Sequence, residues 1–311
     1  KYSNIQVVAL NDLGSTETNA HLFTYDSIHG PFQGDVQTTP QTLDVGLGPI
    51  YVYREKDPQN LPWKELDIDI VFECSGHFTS KEKAELHRKA GAKRVLISAP
   101  SPDADATIVY GVNHTILTSN HHVVSNASCT TNCLAPVAAV LHETFGIERG
   151  YMTTVHAYTG DQSLVDSLHK DLHRARGACL SMIPTSTGAA KAVGLVLPDL
   201  KGKLDGTAIR VPAANVSLID FTFTTQKPAT IESINAAMEE ATNGFLKGIL
   251  ATNTLPLVSV DFNHHKASAI FDMTQTQVID KTFCRVLAWY DNEWGFSNRM
   301  LDTATHMANF L

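Results

Sequence analysis

The fold is decided by residues 68–98, I-D-I-V-F-E-C-S-G-H-F-T-S-K-E-K-A-E-L-H-R-K-A-G-A-K-R-V-L-I-S. An apolar run at 68–72 predicts a strand, the charged stretch 81–89 predicts a helix, and R-V-L-I-S at 94–98 predicts the next strand. Residues 5–10, I-Q-V-V-A-L, predict an earlier strand of the same kind. Buried apolar strands that alternate with helices are typical of a parallel α/β sheet.

Beyond about residue 150 the pattern changes. Residues 216–224 alternate apolar and polar side chains, and 283–290, 258–262 and 267–271 predict further strands with few helices between them. Such a pattern favours a mainly antiparallel sheet. Helical periodicity appears at 231–241 and again in the last segment, where Phe296, Met300, Ala304 and Met307 share one face. A chain of 311 residues is long for one core, so two domains are expected.

The composition and charge of the chain bear on its partners and its location. The net charge is -8, no Lys/Arg block stands out, and no apolar run reaches the roughly 20 residues of a membrane helix. Nucleic-acid and membrane partners are therefore not expected. The first ten residues lack the layout of a signal peptide. Five scattered cysteines do not form a disulfide framework and indicate a reducing, cytoplasmic location.

The motif that carries chemistry is S-N-A-S-C-T-T-N-C-L-A at residues 125–135. An apolar stripe predicts a helix that follows it and ends at Gly146, and Ser128 is a suitable N-cap. Cys129 would then lie at a helix N-terminus, where the dipole favours a thiolate. A buried structural cysteine is the alternative, but the polar neighbours favour a reactive one. Cys133, one turn further on, is expected in the core because no second pair at zinc spacing appears, and no metal site is predicted.

A reactive thiol needs a base or a cation near it. His156 ends a strand-like run that follows the Cys129 helix after a short turn, so the two groups could meet. Spacing alone leaves His265 and the pair His121-His122 as competitors, and each could equally be a solvated surface histidine.

A dinucleotide-binding sheet usually begins with strand, glycine-rich turn and helix. G-x-G-x-x-G is absent here, and the chain opens in what resembles the second strand of such a sheet. If the physical chain begins at Lys1, we expect the sheet to lack its central strand and NAD binding to be weak.

Five blocks identify a family resemblance. They are S-N-A-S-C-T-T-N-C at 125–133, H-A-Y-T-G-D-Q at 156–162, S-T-G-A-A-K-A at 186–192, R-V-P at 210–212 and W-Y-D-N-E at 289–293. In this order they resemble phosphorylating glyceraldehyde-3-phosphate dehydrogenase, from about Val7 to the C-terminus. The resemblance implies a Rossmann-type parallel-sheet domain without its first strand (1–128 and 292–311) and an α+β catalytic domain with a large, mainly antiparallel sheet (129–291).

The resemblance also implies residue roles. Cys129 is the nucleophile and His156 its acid/base partner. The expected substrate and phosphate contacts are Ser128, Thr130, Thr159, Asp161, Arg174, Thr187, Gly188 and Arg210, and the expected cofactor contacts are Asp12, Ser98 and Asn292. The planar fork of arginine suits phosphate, although a surface salt bridge is the other interpretation of Arg210. Asp12 follows a strand, where an acid would bind ribose hydroxyls and repel a 2′-phosphate; a turn or capping Asp is equally compatible.

Besides the missing glycine-rich turn, two positions depart from the family pattern, and two segments also resemble a second enzyme. Ser167-Leu168 stands where NAD-using relatives place Leu-Pro, so NADP is a second possible cofactor, although Asp12 favours NAD. Phe296 stands where many relatives have Tyr. Residues 255–262 and 294–300 also resemble erythrose-4-phosphate dehydrogenase, but Thr159, Asp161 and the 186–192 block favour the three-carbon substrate. A catalytically silent binding protein is the third possibility if the first strand is truly missing.

The expected reaction converts the triose phosphate, NAD and inorganic phosphate to 1,3-bisphosphoglycerate through a Cys129 thioester. The resemblance further implies a homotetramer, with residues 163–181 at subunit contacts.

Overall fold

The computed structural model describes residues 4–311 and divides into two compact units. The first unit comprises residues 1–106, 117–125 and 304–311, and the second comprises 107–116 and 126–303. The first unit contains strands β1 (Ala9–Asn11), β2 (Tyr25–Asp26), β3 (Gly30–Pro31), β4 (Gln37–Thr38), β5 (Thr42–Asp44), β6 (Pro49–Tyr53), β7 (Ile70–Glu73), β8 (Arg94–Ile97), β9 (Ala106–Thr107, at its boundary) and β10 (Val123–Ser125), with helices α1 (Thr16–Thr24) and α2 (Lys81–Lys89).

Parallel pairing in the first unit confirms the predicted α/β class. Strands β7, β8 and β10 pair in parallel, and α2 begins after the N-cap Ser80 and connects β7 to β8. Strand β1 pairs in parallel with β6 in a second sheet of order β1-β6-β5-β4. Within residues 4–311 the parallel strands thus form two separate sheets, not the single sheet expected from the pattern.

The first predicted strand was placed too early. Residues 5–8 lie outside β1, which runs from Ala9 to Asn11. Its pairing continues one residue further, because the amide N–H of Asp12 donates to the carbonyl of Tyr53 at 3.0 Å. Ser15 then caps α1 by accepting the amide N–H of Thr18.

The second unit is built on an eight-stranded sheet of order β12-β13-β11-β14-β18-β16-β15, with β17 also paired to β18. Most of its pairs are antiparallel, as predicted, but β11 with β13 and β15 with β16 are parallel. The strands are β11 (Ile147–Ala157), β12 (Ile183–Ser186), β13 (Leu204–Val211), β14 (Ser217–Thr225), β15 (Leu250–Asn253), β16 (Ala269–Asp272), β17 (Gln277–Ile279) and β18 (Phe283–Tyr290), and the helices are α3 (Cys129–Phe145), α4 (Ala189–Val196) and α5 (Ile231–Asn243). Helix α6 (Trp294–Met307) begins in this unit, and its residues from Ala304 onward belong to the first unit.

The core of the second unit forms around α3. This helix contacts strands β11, β14, β16 and β18 as well as α4 and α5. Its predicted stripe is buried, from Leu134 to Phe145, and Cys133 is fully buried, which confirms it as a core residue. Gly146 ends the helix with φ 72°, a left-handed conformation that glycine adopts without strain.

One predicted strand of this unit is wrong. Residues 258–262 form a short 3-10 turn at Ser259–Phe262, because the carboxylate of Asp261 accepts the amide N–H of Val258 and bends the chain. Val258 and Val260 are exposed, so the apolar alternation here does not mark a buried strand face. Among the helices of residues 4–311, none has the length and apolar character needed to cross a bilayer.

Candidate active site

The start of α3 is fixed by side chains of the cysteine motif. Ser128 accepts the amide N–H of Thr131 at 3.0 Å and so acts as the predicted N-cap. The Asn132 amide donates to the carbonyls of Asn126 and Ser128 at 2.8 and 3.0 Å. These contacts hold Ala127 at φ 57°, a left-handed conformation that is costly for alanine. The strained turn places Cys129 as the first residue of the helix.

Cys129 meets His156 in the structure. Its Sγ lies 3.5 Å from Nε2 of His156, which is the penultimate residue of β11 and is 4% exposed. Nδ1 of the same ring donates to the Ala157 carbonyl at 2.7 Å, so Nε2 is left as the acceptor that faces the sulfur. The competing histidines do not take this place: Nδ1 of His265 and Nδ1 of His121 accept the amide N–H groups of Ala267 and Thr118.

Burial opposes ionisation of both members of this pair. It raises the pKa of the Cys129 thiol, although a hydrogen bond with Thr130 and the charge of Arg210 lower it in part. Burial and then the charge of Arg210 lower the pKa of His156 to about 4. The prediction of a resting thiolate is therefore corrected, because the cost of removing the charged sulfur from water outweighs these stabilising contacts. Moving the proton from Sγ to Nε2 would create both charges at once, and their mutual attraction offsets part of the cost.

Sheet register sets the position of Arg210. Strands β11 and β13 run in parallel with His156 directly opposite Arg210. The Arg210 Nη1 donates to the Ala157 carbonyl and to Oγ1 of Thr159, both at 3.0 Å. Its Nε is buried and has no hydrogen-bond partner among residues 4–311. A buried donor of this kind is suited to an anion.

A second arginine reaches the same pocket from the segment before β12. Arg174 donates from Nε to Oγ1 of Thr185 at 2.9 Å, from Nη1 to Asp161 at 2.6 Å and from Nη2 to the Ser186 carbonyl at 3.4 Å. A guanidinium has five N–H donors, so two remain for a ligand. Asp161, predicted beside the substrate phosphate, accepts this hydrogen bond and so orients the arginine. Burial raises its pKa, but hydrogen bonds from Arg174 and His169 hold it below the usual value.

The pocket also brings together most of the other predicted anion contacts. Its lining consists of Ser128, Cys129, Thr130, Thr154, His156, Arg174, Ser186, Thr187, Ala208 and Arg210. Thr187 lies just before Gly188, where α4 begins without a side-chain cap. A Cβ on Gly188 would meet no atom within 4 Å, so the backbone here is open to close approach. The Thr130 hydroxyl hydrogen-bonds the Tyr290 hydroxyl at 2.8 Å.

The predicted cofactor residues lie in both units, and each has a polar group available for a ligand. In the second unit, Oδ1 of Asn292 accepts the Ser217 hydroxyl at 2.8 Å, so Nδ2 is the group that can donate to a carboxamide. In the first unit, Asp12 and Ser98 directly follow the parallel strands β1 and β8. The Asp12 carboxylate is exposed and accepts one amide N–H, from Gly14. Side chains at the carboxyl ends of parallel strands are the usual contacts of a bound dinucleotide.

Comparison with known proteins agrees with this geometry. Residues 128–292 match the model of the glyceraldehyde 3-phosphate dehydrogenase C-terminal domain, and residues 1–81 match that of the family's NAD binding domain. The chain is 61% identical to glyceraldehyde-3-phosphate dehydrogenase of Xanthobacter flavus over 98% of its own length and 91% of that protein. The chain belongs to the glyceraldehyde-3-phosphate dehydrogenase family. Identity to the enzymes of Cereibacter sphaeroides and Geobacillus stearothermophilus is 59% and 53%, in each case over 99% of this chain and 92% of the relative.

Membership in the family confirms the class of protein. The chain is an NAD-dependent oxidoreductase, and NAD is its cofactor. The relatives named above are all glyceraldehyde-3-phosphate dehydrogenases, so neither the four-carbon alternative nor a silent scaffold is favoured.

Some residues at the site escaped prediction. Asn132 was quoted only as part of a motif, yet it ties the turn before Cys129 to the helix. Ser217 connects Asn292 to the strand that carries His156, and Tyr290 packs edge-on against the His156 ring at a centroid distance of 5.9 Å. A polar run marked Asn132, but no sequence signal marked Ser217, since it only opens an alternating strand.

Proposed function

We propose that the chain oxidises glyceraldehyde 3-phosphate to 1,3-bisphosphoglycerate through a thioester on Cys129. The observation that carries the proposal is the 3.5 Å contact between the Cys129 sulfur and the His156 ring at the capped start of α3. A thiol beside an imidazole acceptor, with two arginines in the same pocket, suits attack on the aldehyde of a phosphorylated substrate.

Cys129 and His156 carry the covalent steps. As Sγ bonds to the aldehyde carbon, Nε2 of His156 takes the thiol proton, and the resulting oxyanion would lie near the backbone N–H groups of the α3 start. A proton relayed to this oxygen gives a thiohemiacetal, and His156 then removes the hydroxyl proton as the carbonyl re-forms. NAD, when bound, would supply the acceptor for the hydride of this carbon, and Cys129 would then carry a thioester.

Two anion sites complete the reaction. Arg210 and Thr159 would bind the substrate phosphate, while Ser128, Thr130, Thr187 and Gly188 would hold inorganic phosphate, with Arg174 between them. Phosphate oxygen attacks the thioester carbon and Cys129 leaves as thiolate, which recovers its proton from His156. The product is an acyl phosphate.

Asn292 would orient the nicotinamide, and Asp12 and Ser98 the adenosine half. The Asp12 carboxylate would accept ribose hydroxyls and repel a 2′-phosphate, so we propose a preference for NAD over NADP. We further assign dinucleotide binding to residues 1–128 and 292–311 and catalysis to residues 129–291.

A cytoplasmic homotetramer is the proposed working form. Residues 163–181 expose several large apolar side chains, which supports a subunit contact there: Leu164, Val165, Leu168, Leu172 and Leu180. Sedimentation equilibrium would test this, since a monomeric mass at micromolar concentration contradicts it.

A coenzyme assay tests the reaction itself. Reduced cofactor is followed with glyceraldehyde 3-phosphate and inorganic phosphate, with NAD and NADP compared, and with erythrose 4-phosphate in a parallel series. We expect phosphate-dependent turnover that is fastest with the triose and NAD. Faster turnover of the four-carbon sugar, or a rate indifferent to phosphate, would overturn the proposal.

A further inference from the structure

Ser217 opens β14 deep inside the second unit, where it is 1% exposed. Its Oγ accepts the amide N–H of Ala157 at 3.0 Å and donates to Oδ1 of Asn292 at 2.8 Å. A backbone N–H can only donate and an amide oxygen can only accept, so both of these contacts have a fixed direction.

Ala157 is the residue at which three site residues meet. Its carbonyl accepts Nδ1–H of His156 and an N–H of Arg210, while its N–H, which belongs to the preceding peptide unit, donates to Ser217. The first of these contacts sets the tautomer in which Nε2 faces the sulfur of Cys129. A group that holds the backbone of Ala157 therefore helps to position the base and one anion-binding arginine together.

The second contact of Ser217 fixes the orientation of the Asn292 side-chain amide. An asparagine side chain can rotate by half a turn and exchange its donor for its acceptor. Because the Ser217 hydroxyl donates to Oδ1, Nδ2 of Asn292 is directed elsewhere as a donor. The proposed function needs that donor for the carboxamide of the cofactor.

We propose that Ser217 is a positioning residue that holds the side-chain amide of Asn292 and the backbone of Ala157 at once, and so aligns the hydride acceptor with the acid/base histidine. This inference rests on the proposed roles of Asn292 and His156. Ser217 itself touches neither the substrate nor the reacting atoms.

Two measurements distinguish the effect of Ser217 on Asn292 from its effect on Ala157. NAD affinity, by calorimetric titration of the full chain, reports the effect on Asn292. The rate of Cys129 alkylation by iodoacetamide without NAD reports the effect on Ala157. We expect Ser217→Ala to weaken NAD binding about tenfold, as the loss of one well-directed hydrogen bond would. We expect it to slow alkylation about threefold, because His156 is then less firmly held.

Asn292→Ala and Ser268→Ala are the comparison variants. Asn292→Ala should weaken NAD binding and leave alkylation unchanged, and adding Ser217→Ala to it should cause no further loss of affinity. Ser268 is also a buried serine of the second unit, and its hydroxyl has no hydrogen-bond partner within residues 4–311. Ser268→Ala should change neither measurement.

The outcomes are distinguishable. If Ser217→Ala behaves like Ser268→Ala while Asn292→Ala weakens binding, the positioning role is refuted and the proposed function stands. If Asn292→Ala leaves NAD affinity unchanged, the proposed cofactor contact is itself wrong and the link to it fails as well. Additive losses in the double variant would show that Ser217 does not act through Asn292.

Discussion

Helices α3 and α4 both begin at the same pocket, but their first turns differ. At the start of α3, the Ser128 side chain occupies the amide N–H of Thr131. At the start of α4, the N-cap Gly188 has no side chain to accept an amide N–H, and the amide of Ala189 donates to Thr187 Oγ1 at 3.2 Å. A helix start offers its N–H groups to an anion unless a cap occupies them. We infer that the capped start serves the sulfur and the uncapped start serves inorganic phosphate.

The comparison shows that a helix N-terminus can serve two purposes, depending on whether its N-cap residue has a side chain. Both helices present the positive end of their dipole to the pocket. At α3 that end acts on a covalently attached sulfur, so a serine cap can rigidify the turn without blocking the chemistry. At α4 the ligand would come from solution, so a cap would compete with it.

Replacing Cys129 removes the group on which the capped start acts. Cys129→Ser should lower kcat by about 10³-fold or more, because a serine hydroxyl beside a neutral imidazole is a far weaker nucleophile for this chemistry. Steady-state turnover measures it. The matched control is Cys133→Ala, one turn along α3 in the core, which should keep turnover within a few-fold. A Cys129→Ser variant with near-normal turnover refutes the nucleophile.

Removing His156 tests whether the dipole of α3 alone is enough to activate the Cys129 thiol. Since burial raises the pKa of Cys129, His156→Asn should slow both iodoacetamide alkylation at neutral pH and turnover by about 10²-fold. His265→Asn, outside the pocket, serves as control. An unchanged alkylation rate in His156→Asn would mean that the helix start ionises the sulfur without help.

His156 also makes the free energy of unfolding depend on pH. Its pKa is about 4 in the folded chain against about 6.5 unfolded, so the unfolded state binds the extra proton between these values. Stability from this group is therefore present above pH 6.5 and lost as the pH falls toward 4. Between pH 7 and 5, His156→Asn should lose about 2 kcal/mol less free energy of unfolding than the parent. Urea denaturation of both proteins at the two pH values checks this; parallel losses would contradict a buried neutral ring.

Adding a cap to α4 should abolish the difference between the helix starts. A carboxylate in Gly188→Asp would accept the first N–H groups and repel phosphate, so we expect KM for inorganic phosphate to rise about tenfold. Gly188→Asn adds the cap without the charge and should show a smaller rise. If KM for phosphate is unaffected by either variant, the anion does not bind at this helix start.

Removing the cap from α3 has the smallest expected effect. Ser128→Ala should lower the free energy of unfolding by about 1 kcal/mol, the usual value of an N-cap. Ser80→Ala at the start of α2 is a matched cap away from the pocket and should cost a similar amount. Denaturant midpoints measure both, and a neutral Ser128→Ala would show that the Asn132 contacts alone hold the turn.

Local patterns predicted a large part of the fold. The bounds of α2 and β18 were obtained from charge and alternation alone, and Ser128 and Gly146 were recognised as the caps of α3. Pairing between strands that lie far apart in the sequence could not be predicted from local patterns. The split of the parallel strands into two sheets, and the parallel pairing of β11 with β13, depend on which distant segments meet.

The residues and contacts of the candidate site could likewise be predicted only in part. Cys129 could be selected from its position at a helix start, but His156 remained one of several histidines until the family resemblance was used. The direction of the thiol pKa was missed because sequence shows a dipole but not the depth of burial. The contact between Asp161 and Arg174 was not predicted, because a motif carries no information about which side chain an arginine faces.

The parallel register of β11 and β13 constrains any redesign of this chain. Side chains alternate between the two faces of a sheet, so a slip of one residue would send His156 and Arg210 to opposite sides. A single-residue insertion within β13 should thus inactivate the protein even if it folds, whereas an insertion in the loop after Val211 leaves the pairing intact. Loops, and not strands, are where this scaffold can accept new sequence.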